Sequence, residues 1–162
     1  MLLAQAGLST PATAQRLALE GVELISTTPL MLAPQLTVDL GPRAAAALEA
    51  GVALNFLLEL ELQAPQRLRV TRHLGLRYSP LLQRYELDIE GQGVRGYDFP
   101  SALLAGLERA LLVFPEVSDC TAACSGRVRL QLDRSRLPAP LRLPSLFEAD
   151  WQLDSGWRPF PP

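Results

Sequence analysis

Residues 52–63 alternate almost strictly between apolar and polar side chains, and this pattern constrains the fold more closely than any other in the chain. Every second position of the segment is apolar: Val52, Leu54, Phe56, Leu58, Leu60 and Leu62. Because successive side chains of a strand point to opposite faces, such a strand is buried on one face and solvated on the other. One-sided burial is typical of an antiparallel sheet, since parallel sheets are usually covered on both faces.

The rest of the hydrophobic pattern predicts six more strands and two helices. The strands are expected at 17–26, 30–40, 67–78, 83–90, 127–133 and 149–158, and the helices at 42–50 and 100–114. The turns between consecutive strands are too short for parallel neighbours. The sequence therefore predicts an α+β fold: an antiparallel β-sheet, single or in two sandwich-like layers, of about seven strands with two helices packed on one face.

Length and composition set further bounds. The chain has 162 residues, 48% of them hydrophobic, which is enough for one domain with its own core, expected at residues 15–162. A net charge of −2 gives no general attraction to nucleic acid, so no nucleic-acid partner is predicted. No apolar run reaches the roughly 20 residues that a membrane-spanning helix needs, so no membrane span is predicted.

Residues 1–14 precede the predicted domain and carry a mixed signal. Ala12, Thr13 and Ala14 resemble a signal-peptidase site, yet the apolar stretch before them is short and lacks Lys and Arg. The segment is either a signal-peptide remnant or a disordered leader. We favour the remnant, which predicts a periplasmic or otherwise exported protein.

Residues 91–96 match the G-x-G-x-x-G pattern of dinucleotide-binding loops and lie between a predicted strand and a predicted helix. The preceding strand is half polar, whereas the strand before such a loop is usually buried on both faces. Glu90, directly before the loop, would also repel phosphate. We therefore interpret these glycines as a hairpin turn, and no cofactor is predicted.

Cys120 and Cys124 are the two cysteines of the chain. A tetrahedral zinc site needs four ligands, and the single histidine, His73, lies far away in the sequence. No metal site is predicted. The two cysteines form either a local disulfide, which export would favour, or two unpaired thiols.

Charged side chains gather on the polar face of the predicted strands 52–63 and 67–78. They form a candidate interaction face of Glu59, Glu61, Arg67, Arg69, His73 and Arg77. The two arginines nearest the turn are expected to pair with the two glutamates across it. The face is either merely solvated or a place where a partner docks. His73 lacks the nucleophile elbow of a hydrolase, so no catalytic residue is predicted.

Trp151 and Trp157 share one face with Leu153 in the predicted strand 149–158. We expect them to be aromatic anchors of the core; the alternative is an exposed platform for a partner.

Four segments together resemble the exported bacterial proteins grouped as domain of unknown function 4390. The segments are VDLGPRAAAALEAGVALNFLLELEL, LRYSPLLQRYEL, RLQLDRSRLPAP and DWQLDSGWRPF, and the resemblance covers residues 20–160. Gly41 stands where the family usually has Asn or Ser, and residues 66–69 lack the tryptophans common there. The resemblance implies an envelope location and no assigned activity, because the family has no established catalytic residues.

These observations predict a non-catalytic exported envelope domain that binds another protein, with an envelope or membrane protein as the expected partner. The alternative is a binder or carrier of a small apolar ligand or lipid, held between the sheet and the helices, which requires a roomy apolar cavity. A hydrolase built on His73 or Glu59 is the weaker alternative, and it requires a cleft beside them.

Overall fold

The computed structural model describes residues 17–120 and 123–161 of the chain, so the predicted leader, residues 1–14, lies outside the described part. The strands are β1 Leu17–Thr27, β2 Leu30–Val38, β3 Leu54–Ala64, β4 Leu68–Ser79, β5 Arg84–Ile89, β6 Gly93–Tyr97, β7 Leu112–Phe114, β8 Ser125–Leu132 and β9 Arg158–Phe160. The helices are α1 Gly41–Glu49, α2 Pro100–Glu108 and α3 Ala139–Phe147, with 3₁₀ turns at Arg134–Arg136 and Ala149–Trp151. None of the described helices combines the length and the apolar character that a membrane crossing requires.

The described strands form two antiparallel sheets. The smaller has the order β1-β2-β7 and the larger the order β6-β5-β4-β3-β8-β9. β1 packs against β8 and β9, α1 against β4, and α2 against β5. The core therefore lies between the larger sheet and a second layer made of the smaller sheet, α1 and α2. The predicted α+β class and antiparallel pairing are confirmed, although the described residues form nine strands and three helices.

The alternating segment forms β3, in the interior of the larger sheet between β4 and β8. Its inward side chains are at most 3% exposed: Leu54, Phe56, Leu58, Leu60 and Leu62. Full burial of a side chain of this size contributes about 1.5–3 kcal/mol. A slip of one residue would turn this whole row to solvent, so the register is firmly set and the glutamates of β3 are held on the outer face.

The second predicted helix is wrong beyond residue 108. α2 ends at Glu108, and Leu112–Phe114 forms β7, which pairs with β2. Leu112 and Phe114 are buried, whereas Leu111 is exposed, so burial in this segment follows the two-residue period of a strand. The apolar run is compatible with a helix or a strand, and the pairing that β2 offers decides for the strand.

The C-terminal region also differs from the prediction. The predicted strand 149–158 is wrong, because residues 149–151 form a 3₁₀ turn and the strand that pairs with β8 is Arg158–Phe160, preceded by a single isolated bridge from Asp154 to Gln131. The proline-rich passage before it forms α3, which the sequence conceals because proline is unfavourable inside a helix. Pro140 lies in the first turn of α3, where its missing N–H has no partner to lose.

The glycine-rich segment 91–96 connects β5 to β6 in an antiparallel hairpin, which confirms its interpretation as a turn. Gly91 and Gly93 have φ angles of 81° and 88°, in the region that favours glycine. β6 continues through the last glycine of the motif, and α2 begins only at Pro100. The glycines therefore do not open a helix, as a dinucleotide-binding loop would require.

Candidate functional site

The outer face of the larger sheet carries a cluster of paired charges centred on Glu61. Glu61 of β3 lies opposite Arg69 of β4 and Arg127 of β8. Both guanidinium groups donate to its carboxylate, with Arg127 Nε 2.6 Å from Oε2. The hydrogen bond from Arg69, followed by that from Arg127, lowers the pKa of Glu61 below its ordinary value. Glu61 and Arg69, two residues of the predicted interaction face, are thus brought together, and each is already hydrogen-bonded to the other.

Glu59 and Arg67 do not form the expected pair. Glu59 lies opposite Thr71 and accepts a hydrogen bond of 3.2 Å from Gln131 Nε2. Arg67 precedes β4, and no carboxylate of the described residues forms a salt bridge with it. The predicted cross-turn pairing therefore holds for Arg69 and Glu61, which the register places directly opposite each other.

Arg77 pairs with Glu86, a residue that the sequence pattern did not single out. Glu86 is only 3% exposed, although it lies on the outer face of β5. Arg77 Nε donates to its Oε2 at 2.6 Å, and Arg84 Nε lies 3.4 Å from Oε1. The hydrogen bond from Arg77 is the main cause that lowers the pKa of Glu86. Arg77 lies directly opposite Glu86, so the alternation of the two strands was the signal that could have found this pair.

Asp154 and Arg129 form a further ion pair at the C-terminal side of this face. Arg129 Nε donates to Asp154 Oδ1 at 2.9 Å, and its Nη2 donates to Oδ2. This contact lowers the pKa of Asp154 below its ordinary value. The outer face of the larger sheet is therefore neutralised largely by its own side chains.

Trp151 and Trp157 do not share a face, because the 3₁₀ turn interrupts the predicted strand. Trp151 is buried and belongs to the core. Trp157 lies against the outer face, where Arg127 Cζ is 4.4 Å from its ring centroid in a cation–π contact. Trp151 is thus a core anchor and Trp157 a support for the charge cluster around Glu61.

His73 is exposed on β4 beside the 3₁₀ turn of residues 134–136. Its Nδ1 lies 3.3 Å from Arg136 Nη1. The neighbouring Ser135 hydroxyl donates to Asp133 instead of to the imidazole. Within residues 17–120 and 123–161, no serine or cysteine forms a hydrogen bond with His73, and no group of three or more metal-ligating side chains occurs. This geometry offers His73 no activated nucleophile.

Cys120 and Cys124 are joined by a disulfide, with a Cα–Cα distance of 5.0 Å inside the usual range. Both side chains are buried at the edge of the core. Of the two alternatives that the sequence left open, the structure contains the bridged form.

The interior between the two layers is filled. The void beside Leu58, Leu107 and Leu130 measures about 10 Å³, which is the space of about one water molecule. A lipid or another apolar ligand of moderate size needs about 300 Å³ or more. This void is therefore too small for such a ligand.

The helix α3 exposes most of its large apolar side chains, while Leu141 on its inner side packs against the core. Leu143, Leu146 and Phe147 are 66%, 53% and 80% exposed, whereas Ser145 is completely buried. The three apolar side chains follow the i, i+3, i+4 spacing of one helix face, which was the signal that the prolines obscured. This face points to solvent and has no cover within the described residues.

A groove of about 550 Å³ lies between α3 and the outer face of the larger sheet. Its lining includes Leu57 and Gln131 from the sheet, Arg134 from the 3₁₀ turn, and Arg142, Leu143 and Leu146 from α3. Arg134 Nη1 donates to the Ser145 carbonyl oxygen at 3.1 Å and so fixes α3 at this position. We call α3 and this groove the α3 surface.

Fold and surface together define a two-layer α+β domain with a self-neutralised sheet face and one helix that exposes its apolar side. The family model described as a domain of unknown function, DUF4390, matches residues 14–161, so the chain belongs to this family. No curated protein and no solved structure matches the chain. The family description assigns no activity.

Proposed function

We propose that this domain is an exported, non-catalytic protein-interaction module whose partner docks on the α3 surface. The observation that carries the proposal is the exposed apolar stripe of α3, formed by Leu143, Leu146 and Phe147. Amphipathic helices usually turn their apolar stripe toward a core. A partner that covers α3 would remove this stripe from water, at a gain of about 25 cal/mol per Å² of apolar surface.

The charged sheet face supports this choice of surface because most of its carboxylates are already bound to its own arginines. The carboxylates of Glu61, Glu86 and Asp154 are each held by arginines of the same face. A partner that bound there would have to compete with these contacts. The docking surface that we propose is therefore the α3 surface, which lies at the edge of the predicted face near His73.

Two features support an exported location. The Cys120–Cys124 disulfide is typical of an oxidising compartment. The family resemblance also implies the envelope. A fusion of the chain to alkaline phosphatase, which is active only after export, tests this part. An inactive but stably produced fusion would contradict it.

Site-specific photo-crosslinking in the native cell tests the docking surface. A photoreactive phenylalanine analogue at Leu146 should give a discrete adduct with another protein. Ile25 of β1 is the matched control, because it is also apolar and 48% exposed but lies in the smaller sheet. The proposal fails if position 146 gives no adduct, or if both positions give the same one.

The double variant Leu143→Ser/Leu146→Ser separates docking from folding. Because both side chains are exposed, we expect the free energy of unfolding to change by no more than about 0.5 kcal/mol. The adduct formed from a photoreactive group at Phe147 should nevertheless disappear. A large loss of stability would instead show that these leucines are structural.

A further inference from the structure

We infer that the α3 surface binds an acidic segment that carries bulky apolar side chains, supplied by a partner protein. This inference rests on the proposed function and specifies the chemistry of the partner. It comes from the arginines beside the groove, which form no salt bridge with a carboxylate of the described residues.

Arg134, Arg136 and Arg142 have no carboxylate partner within the described part of the chain. Arg134 donates to the Ser145 carbonyl oxygen, and Arg142 Nε donates to the Leu137 carbonyl oxygen at 2.8 Å. The nearest polar group to Arg136 is the imidazole of His73. Arg136 and Arg142 are thus left without a neutralising carboxylate among the described residues, whereas the charge of Arg134 also acts on Asp154 and helps to lower the pKa of that carboxyl.

Most other arginines of the larger sheet are paired with carboxylates, whereas Arg95 and Arg158 form no salt bridge with a described residue. Five arginines of this sheet form ion pairs with Glu61, Glu86 or Asp154: Arg69, Arg77, Arg84, Arg127 and Arg129. Beside α3, Arg134 and Arg142 line the same groove, and Arg136 lies in the 3₁₀ turn next to it. The net charge of the whole chain is −2, so this local positive charge is not an average property of the protein.

The groove itself holds one acidic side chain, Asp133. Its carboxylate already accepts hydrogen bonds from the backbone N–H and the hydroxyl of Ser135. It is thus poorly placed to neutralise the arginines. The carboxylates of a partner would accept charge-assisted hydrogen bonds from the guanidinium N–H groups that the backbone contacts of these arginines leave unused.

Apolar contacts define the other half of the partner. Leu143 and Leu146 line one wall of the groove, and Leu57, an apolar residue on the outer face of β3, lines the opposite side. Leucine or aromatic side chains inserted between them would bury apolar surface on both sides. The partner segment therefore needs bulky apolar residues with carboxylates beside them.

The concave shape favours a peptide segment over an anionic membrane. A flat bilayer surface would contact the exposed Phe147, but Leu57 lies on the sheet side of the groove. Side chains of a peptide can reach both this side and the arginines beside α3. Anionic vesicles are therefore the competing ligand in the test.

Selection from a random dodecapeptide display library provides an unbiased test. We expect the peptides that bind the full chain to be enriched in Asp and Glu together with Leu, Phe or Trp. The double variant Arg136→Gln/Arg142→Gln should bind a selected synthetic peptide at least tenfold more weakly, and added salt should weaken binding to the wild type. Arg95→Gln, on β6 at the opposite edge of the sheet, is the charge-matched control and should bind as the wild type does.

Other outcomes overturn the inference. These are a selection without binders, selected peptides without an acidic excess, and equal binding by the double variant. Leu146-dependent binding to phosphatidylglycerol vesicles without peptide binding would point to a membrane surface instead. If position 146 still crosslinks to a protein in the cell, only the acidic chemistry fails and the proposed function stands. If it does not, both fail.

Discussion

Replacing Gly126 with alanine tests how closely β8 approaches its neighbours. A Cβ at this position would lie 3.0 Å from Phe160 Cζ and 3.1 Å from Leu62 Cα. It would also collide with the backbone oxygen of Glu61. These neighbours include backbone atoms of the interior strand β3, which cannot move aside without disturbing a register fixed by its buried row.

The magnitude follows from these distances. Non-bonded carbon atoms pack at about 3.5–4.0 Å, so the new methyl group requires shifts of about 0.5–1 Å. Overpacking of this kind costs about 1–3 kcal/mol. Removal of a glycine from a strand returns about 0.5–1 kcal/mol. We expect Gly126→Ala to lower the free energy of unfolding by about 1–2 kcal/mol, which lowers Tm by about 2–8 °C.

Gly75→Ala is the matched control in β4, which pairs with the other side of β3. Its Cβ would meet Asn55 Oδ1 at 3.7 Å and Asp88 Cβ at 3.9 Å, which are ordinary contacts. This variant should be neutral or more stable by up to about 1 kcal/mol. Urea unfolding followed by tryptophan fluorescence measures both variants. An equal effect of the two substitutions, or a stabilised Gly126→Ala, would refute the argument from close approach.

Three further predictions concern polar contacts and the disulfide. Because arginines lower the pKa of Glu86, its contribution to stability is present above the ordinary glutamate pKa of 4.5 and is lost as the pH falls through the lower folded value. Glu86→Gln should therefore destabilise the domain at neutral pH, and urea unfolding should show the difference shrinking below pH 4.5; a constant difference would contradict this. The hydrogen bond from Tyr85 to Glu49 Oε1, 2.6 Å long, is the main cause that raises the pKa of Tyr85 to about 12. Glu49→Gln should bring that pKa down toward 10.0 in a phenolate absorbance titration, and an unchanged value would show that burial dominates. The Cys120–Cys124 bridge closes only a short loop, so its reduction should lower the free energy of unfolding by about 2 kcal/mol. Urea unfolding with and without reductant measures this difference. A loss of folding on reduction would show a larger role.

The charge cluster around Glu61 shows how far the sequence led toward the site. The alternation of β3 and β4 correctly placed Glu61 and Arg69 on one polar face and opposite each other. Arg127, which is 66 positions away from Glu61 in the chain, could not be assigned, because its place depends on β8 pairing with the other side of β3. Short-range turns reveal hairpin partners, whereas partners distant in the sequence depend on the sheet order.

The hydrophobic pattern of the sequence did not predict the α3 surface. Proline at positions 140 and 144 argued against a helix, although the spacing of Leu143, Leu146 and Phe147 agrees with one. Even a correct helix prediction would have turned this apolar stripe toward the core. In the structure this stripe faces solvent instead, because the side of α3 that carries Leu141 and Ser145 is the one held to the domain, also through the Arg134 contact.

The sequence by itself determined the antiparallel α+β class and the inward and outward faces of β3 and β4, because alternation along a strand is a local property of consecutive residues. It also indicated the family, through four segments that occur in the same order. Only the tertiary structure decided which charges are paired, that residues 112–114 are a strand, and that α3 exposes its apolar side. Each of these depends on what lies against a residue from a distant part of the chain, and burial and pairing of that kind follow from the packing of whole elements.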